Sequence, residues 1–244
     1  MRSNQAADAA DDVLRVSMDA KATVKIGPFS RRGSSRVAVH AADHDFEAEA
    51  TVTPVGIFLP ALDEVFLYLV TSKVTSDCLV DRLEPWWTSV SARFGHITTL
   101  LLNLDNGPEN QSRRTQFMLR LLQFAQQSGL RIRLAYYPPY HSKYNPVERC
   151  WGILEMHWNG ALLDTMEAVL GFAGSMTWKG QHPVVDLVTT LYQSGVKLTK
   201  EAMAEVERQL KRLPTLEKWF VDIVSSSSAP RDTSLYVRPS GGAR

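Results

Sequence analysis

The segment Thr98–Asp105, TTLLLNLD, constrains the fold of this chain more than any other. Its apolar run does not alternate and does not follow a helical period. It reads as a strand buried on both faces, which requires covering layers on either side. The turn signal NGPEN follows at once. Thr115–Ser128 then reads as an amphipathic helix, with Phe117, Leu121, Phe124 and Ala125 on one side and Gly129 as its stop. Arg131–Tyr136 reads as a short strand. The rigid stretch PPYHSKYNP comes next, and a helix starts at Pro146.

The first hundred residues add to the same sheet. Val13–Asp19 alternates, with Leu14, Val16 and Met18 on one face and Arg15, Ser17 and Asp19 on the other. Lys21–Gly33 carries Gly27, Pro28 and Gly33 and is expected to loop. Strands are expected near Glu49–Phe58 and Val65–Thr71, around a turn at Pro60. A helix over Asp77–Phe94 carries Trp86 and Trp87, with Pro85 inside it. Strands and helices in this order argue for an α/β fold, a mixed sheet flanked by helices.

Periodicity weakens after Gly160, although Thr199–Leu213 reads as a helix capped by Thr199. Residues 1–12 read as a disordered start and 225–244, rich in Ser, Gly and Pro, as a disordered tail. Between them the expectation is a core over 13–165 and a mainly helical C-terminal extension over 166–224. No run of eighteen apolar residues exists, so no membrane span is expected. MRSNQAADAADD has no apolar centre and does not read as a signal peptide. The two cysteines, Cys78 and Cys150, form no CxxC pair, which argues against a zinc site and for a reducing, cytoplasmic setting.

Net charge is only +1, but the cations are unevenly placed. Asp19–Arg36 has Lys21, Lys25, Arg31, Arg32 and Arg36 against the single acid Asp19. Arg113–Arg149 has Arg113, Arg114, Arg120, Arg131, Arg133, Lys143 and Arg149 against the single acid Glu148. Basic stretches that each carry one carboxylate suit a phosphate-binding cleft around a metal; solvated faces are the plainer alternative.

Three acids stand apart. Asp19 ends the first strand and Asp105 ends the buried one, where ligand sites of open sheets tend to form. Glu148 falls in the first turn of the helix from Pro146. Such carboxylates repel unless a divalent ion joins them, and Mg²⁺ favours carboxylate, water and phosphate oxygens. Two ions roughly 3.5–4 Å apart can clamp both oxygens of a phosphodiester displacement. Each acid also has a structural reading. Asp105 could form the turn, Asp19 could pair with Lys21, and Glu148 could close a capping box on Asn145. Glu109 is the foremost candidate for a fourth carboxylate, with Asp77 and Glu155 behind it. His141 and Lys143 could touch phosphate.

YYPPYHSKYNPVERCWG, Tyr136–Gly152, resembles the last active-site motif of the DDE transposases of bacterial insertion sequences, of the ISAzo type. More distant likeness is to mariner-like transposases and retroviral integrases. MDAKATVKIGPFSRRG from Met18 and LLLNLDNGPEN resemble the first and middle motifs. HDF at His44–Phe46, TPVGIF at Thr53–Phe58, Trp86–Trp87, MTWKG at Met176–Gly180 and YQSGVKLTKEAM at Tyr192–Met203 are similar as well. Arg149–Cys150 replaces the family's His–Arg, the family's Trp-Asn-Tyr end is reduced to EKWFVDI, and Met1 lies only eighteen residues before Asp19.

The resemblance implies an RNase H-like fold, a five-stranded mixed sheet flanked by helices. It implies catalysis by Asp19, Asp105 and Glu148 with two Mg²⁺ or Mn²⁺ ions. The expected chemistry is DNA strand cleavage and strand transfer at insertion-sequence ends. The expected partners are transposon-end DNA, target DNA and further copies of the chain as a homo-oligomer on DNA at the nucleoid. A nuclease of this fold that cuts without joining, and a truncated remnant that only binds DNA, are the alternatives.

Overall fold

A computed structural model describes residues 2–29, 50–138 and 144–224. His141 and Lys143, the HDF segment, Arg31, Arg32 and Arg36, and the tail from Ser225 lie outside the described residues. The fold is mixed α/β, as expected. Nine strands are described, and the chain divides into two compact units. Unit one comprises Met1–Val16, Val74–Ser142 and Tyr192–Arg244; unit two comprises Ser17–Lys73 and Lys143–Leu191.

Unit one is built around the apolar run TTLLLNLD. That run is β5 (Thr99–Leu104), and all six of its residues are buried. It pairs in parallel with β6 (Arg131–Tyr136), Leu102 opposite Leu134. The helix between them is α3 (Thr115–Ser128), with the bounds read from sequence. Gly129 ends it at φ 73°, a left-handed conformation that costs glycine least. Helix α2 (Ser76–Val90) is capped by the Thr75 hydroxyl, which accepts from the Cys78 N–H at 3.2 Å. A single 3-10 turn, Ser91–Arg93, follows α2.

The start of the chain is not disordered. Arg2–Asp8 forms α1, and Ala7 is buried with Leu101 and Ala135. Asn4 donates to the Tyr137 hydroxyl at 3.1 Å and accepts from Asn103 at 3.0 Å. Arg15 clasps both oxygens of Asp8. These long-range bonds order a segment whose local composition has no apolar core. Late in the chain, α6 (Lys200–Glu207) keeps the Thr199 cap but stops six residues before Leu213. Leu210–Arg212 instead forms β8, which pairs with β9 (Phe220–Ile223), and β9 pairs antiparallel with β6. The segment after residue 165 therefore contributes strands as well as helices.

Unit two is an antiparallel arrangement with one parallel edge. β1 (Val13–Ala20) passes from unit one into unit two after Val16. Its second half pairs with β3 (Ala50–Leu59), and β3 pairs with β4 (Glu64–Val70). β7 (Val184–Val188) adds in parallel to β4. A short β2 (Val24–Ile26) interrupts the expected loop and pairs with β3. Ser17 and Asp19, on the face opposite Leu14, Val16 and Met18, are both buried. The cover is α4 (Val147–His157), whose Val147, Cys150, Trp151 and Leu154 pack with Val24, Val52 and Leu67. Helix α5 (Met166–Ser175) closes the same core through Val169 and Ala173.

Candidate active site

Asp19 sits one residue before the end of β1, only 6% exposed, opposite Gly56 of β3. A carboxylate so buried needs a donor. Trp151 supplies one, its indole Nε1–H donating to Asp19 Oδ2 at 2.9 Å. Gly56 makes this contact possible. A Cβ built there would stand 2.6 Å from Trp151 Cη2 and 2.9 Å from Val147 Cγ2. The missing side chain lets the indole lie against the sheet and reach the carboxylate.

Glu148 is the second residue of α4 and half-buried. It stands three positions before Trp151, so the two share a helix face. The face that delivers Trp151 to Asp19 thus also carries Glu148. The start of α4 is fixed to β1 by a set of buried bonds. The Ser17 hydroxyl donates to Asn145 Oδ1 and accepts from the Val147 N–H at 3.0 Å. Asn145 Nδ2 donates to the Met18 carbonyl at 3.3 Å. The capping box drawn from sequence is not how this helix begins. Pro146 is the cap residue and has no side-chain capping bond. Asn145 is spent on the neighbouring strand, and Ser17 caps from a distance of 130 residues in sequence.

Asp105 belongs to unit one. It follows β5 directly and is half-exposed. Its Oδ1 accepts from the Gly107 N–H at 3.1 Å and from Asn110 Nδ2 at 2.8 Å. Asp105 is thus the turn former that composition suggested, and the turn holds its carboxylate still. Among the described residues no hydrogen bond reaches Oδ2. A Cβ at Gly107 would crowd both carboxylate oxygens, at 3.2 and 3.3 Å, so glycine keeps that side open. Below it, the buried Tyr136 hydroxyl donates to the Asn110 carbonyl at 2.7 Å. Burial holds the Tyr136 phenol well above its usual range; Arg212 pulls it down and Asp105 pushes it further up.

The alternative acids are committed to cations. Glu109 takes Arg114 Nη2 on both oxygens at 3.0 Å. Asp77 accepts from Gln116 at 2.8 Å and lies 3.5 Å from Arg120. Glu155 is ion-paired with Lys21, whose ammonium also lies over the Trp158 ring. Trp86 is fully buried in unit one, a packing residue. Sequence reading missed Trp151 as the partner of Asp19. Its spacing of three from Glu148 was the available signal.

Hard oxygen donors on strand ends suit Mg²⁺ or Mn²⁺ better than softer metals. Among the described residues no three His, Cys, Asp or Glu side chains are grouped closely enough to hold an ion. No described helix is long and apolar enough to cross a membrane.

A family model described as the Rhodopirellula transposase DDE domain matches residues 1–225, and the chain belongs to that family of DDE transposases. No curated protein matches it. A solved structure titled Mos1 transposase paired-end complex with left transposon end is similar at 13% identity and a TM-score of 0.47. That match covers 64% of this chain and 45% of the solved one, so the chain spans under half the length of that relative.

Proposed function

We propose that this chain is the catalytic part of an insertion-sequence transposase that cuts DNA at the element's ends and joins the cut ends to target DNA. The match of the DDE family over residues 1–225 carries this reading. Asp19, Asp105 and Glu148 are its catalytic acids. Bound Mg²⁺ or Mn²⁺ would stabilise charge on the attacking and leaving oxygens. The chain's own contribution is to hold the acids. Trp151 fixes one oxygen of Asp19, the Gly107 amide and Asn110 fix one oxygen of Asp105, and the Ser17–Asn145 bonds fix the turn that carries Glu148.

Cleavage adds water across a phosphodiester and leaves a 3′-hydroxyl. Joining is transesterification: that hydroxyl forms a new bond to phosphorus, and the displaced target oxygen leaves with a proton. No bond to the protein is formed at either step. Copies of the chain assemble on the DNA, and the exposed cations give binding that weakens steeply with salt.

The test is nicking and strand transfer on labelled insertion-sequence ends with Mg²⁺ or Mn²⁺. Asp19→Asn, Asp105→Asn and Glu148→Gln should each abolish both steps while leaving the fold intact by circular dichroism. Undiminished cleavage in EDTA would overturn the reading. Nicking without joining would reduce the chain to a nuclease, and DNA binding without either step to a remnant.

A further inference from the structure

Immediately after Asp105 the surface of unit one forms a groove of about 230 Å³ lined by Asn106, Gln111, Ser112, Arg113, Lys218 and Trp219. Sites for drug-sized ligands run from about 300 to 1,000 Å³, so the occupant is smaller than these. Three kinds of side chain meet here. Trp219 offers a half-buried indole, Asn106 and Gln111 offer amides, and Arg113 and Lys218 are exposed cations. Nearby cations are already paired, Arg114 with Glu109 and Arg212 with Glu207. Among the described residues Arg113 and Lys218 have no acidic partner.

The groove is held by bonds between its two loops. The buried Ser112 donates from its hydroxyl to the Lys218 carbonyl at 3.0 Å. Arg212 donates to the Ser112 carbonyl at 3.0 Å and to the Glu217 carbonyl at 3.2 Å. The Tyr136 N–H donates to the Trp219 carbonyl at 3.0 Å. Asn106 adopts φ 64°, a left-handed turn that takes the chain from Asp105 into the groove wall. The walls are therefore organised in advance of a ligand, which lowers the cost of binding.

An aromatic face beside two unpaired cations matches the two chemical parts of a nucleotide, a flat base and a phosphate. We propose that this groove binds one unpaired nucleotide of a DNA strand, with its base on Trp219 and its phosphate between Arg113 and Lys218. A strand seated here passes beside Asp105, so the groove positions single-stranded DNA at the cleavage site. The inference rests on the reading of the chain as a DNA-processing enzyme.

The experiment uses the full chain in EDTA, where no cleavage is required. Fluorescence anisotropy compares a blunt duplex with the same duplex bearing a short unpaired end that contains 2-aminopurine. The overhang should bind more tightly, and its 2-aminopurine should be quenched. Trp219→Ala should remove quenching and weaken overhang binding by between about fivefold and a hundredfold, the range for one stacked base. Trp219→Phe should retain most of both and guards against a folding defect. Arg113→Ala and Lys218→Ala should each lower the salt slope by about one. Equal binding of both DNAs, or quenching unchanged in Trp219→Ala, would overturn the groove assignment and leave the transposase reading intact. Failure to bind any DNA would overturn both. Preference for the overhang in a chain that, in a parallel assay with Mg²⁺, does not nick would support the groove and count against the catalytic reading alone.

Discussion

Replacing Gly56 by alanine tests whether the missing side chain under Trp151 is what lets the indole reach Asp19. The new methyl would lie 2.6 Å from Trp151 Cη2 and 2.9 Å from Cζ2. Ordinary contact begins near 3.4 Å, so the ring must retreat by most of an ångström. Overpacking of this kind costs about 1–3 kcal/mol. The 2.9 Å bond from Trp151 to Asp19 would stretch past useful length, and bonds to charged groups contribute about 1.5–3 kcal/mol. Together the loss should be about 2.5–6 kcal/mol. Urea denaturation followed by far-ultraviolet circular dichroism measures it. Trp151→Phe in the same chain removes the colliding ring edge, so the double variant should be more stable than the sum of the single effects by at least about 1 kcal/mol. Gly152 supplies the control. It lies in the same helix with nothing within 4 Å of a Cβ, and Gly152→Ala should stabilise by about 0.5–1 kcal/mol. Additive single effects, or a neutral Gly56→Ala, would refute the reasoning.

Ser17→Ala should cost about 2–4 kcal/mol, because it removes the cap on the Val147 N–H and leaves Asn145 Oδ1 buried without its donor. A change in the urea midpoint equivalent to less than about 0.5 kcal/mol would contradict the capping role. Burial pushes the Cys78 and Cys150 thiols from 9.0 up to about 11 and about 12. Neither thiol should react with a disulfide reagent at neutral pH until the chain is unfolded. Their folded-state values are raised, so the associated stability is complete below about pH 9 and is lost as pH climbs through about 11 and 12, read from urea midpoints.

Elements whose signals are local were legible. The helix Thr115–Ser128 and the strand Arg131–Tyr136 needed only an amphipathic period, a glycine stop and an apolar run. Elements whose reason lies elsewhere in the chain were not. Leu210–Arg212 has the pattern of a helix, but pairing with Phe220–Ile223 takes it into a strand. The short strand Val24–Ile26 exists because β3 is there to receive it. The same division runs through the candidate site. Acids at strand ends could be read from position, and the Asp105 turn from its composition. The Ser17–Asn145 bonds could not, since the local pattern of Asn145, Pro146 and Glu148 favoured a capping box. Local chemistry offered Asn145 two uses, and only the packed strand decided between them.

Both compact units are made of separated stretches of chain, and β9 near the end of the described residues completes the sheet edge at β6. During synthesis β6 is therefore made more than eighty residues before its partner. Until Phe220–Ile223 emerges from the ribosome, one side of that strand has unpaired backbone groups able to recruit another chain. Messages cut short before β9 should consequently yield insoluble protein. The same dependence makes translation through Phe220–Ile223 a condition for pairing the exposed side of β6.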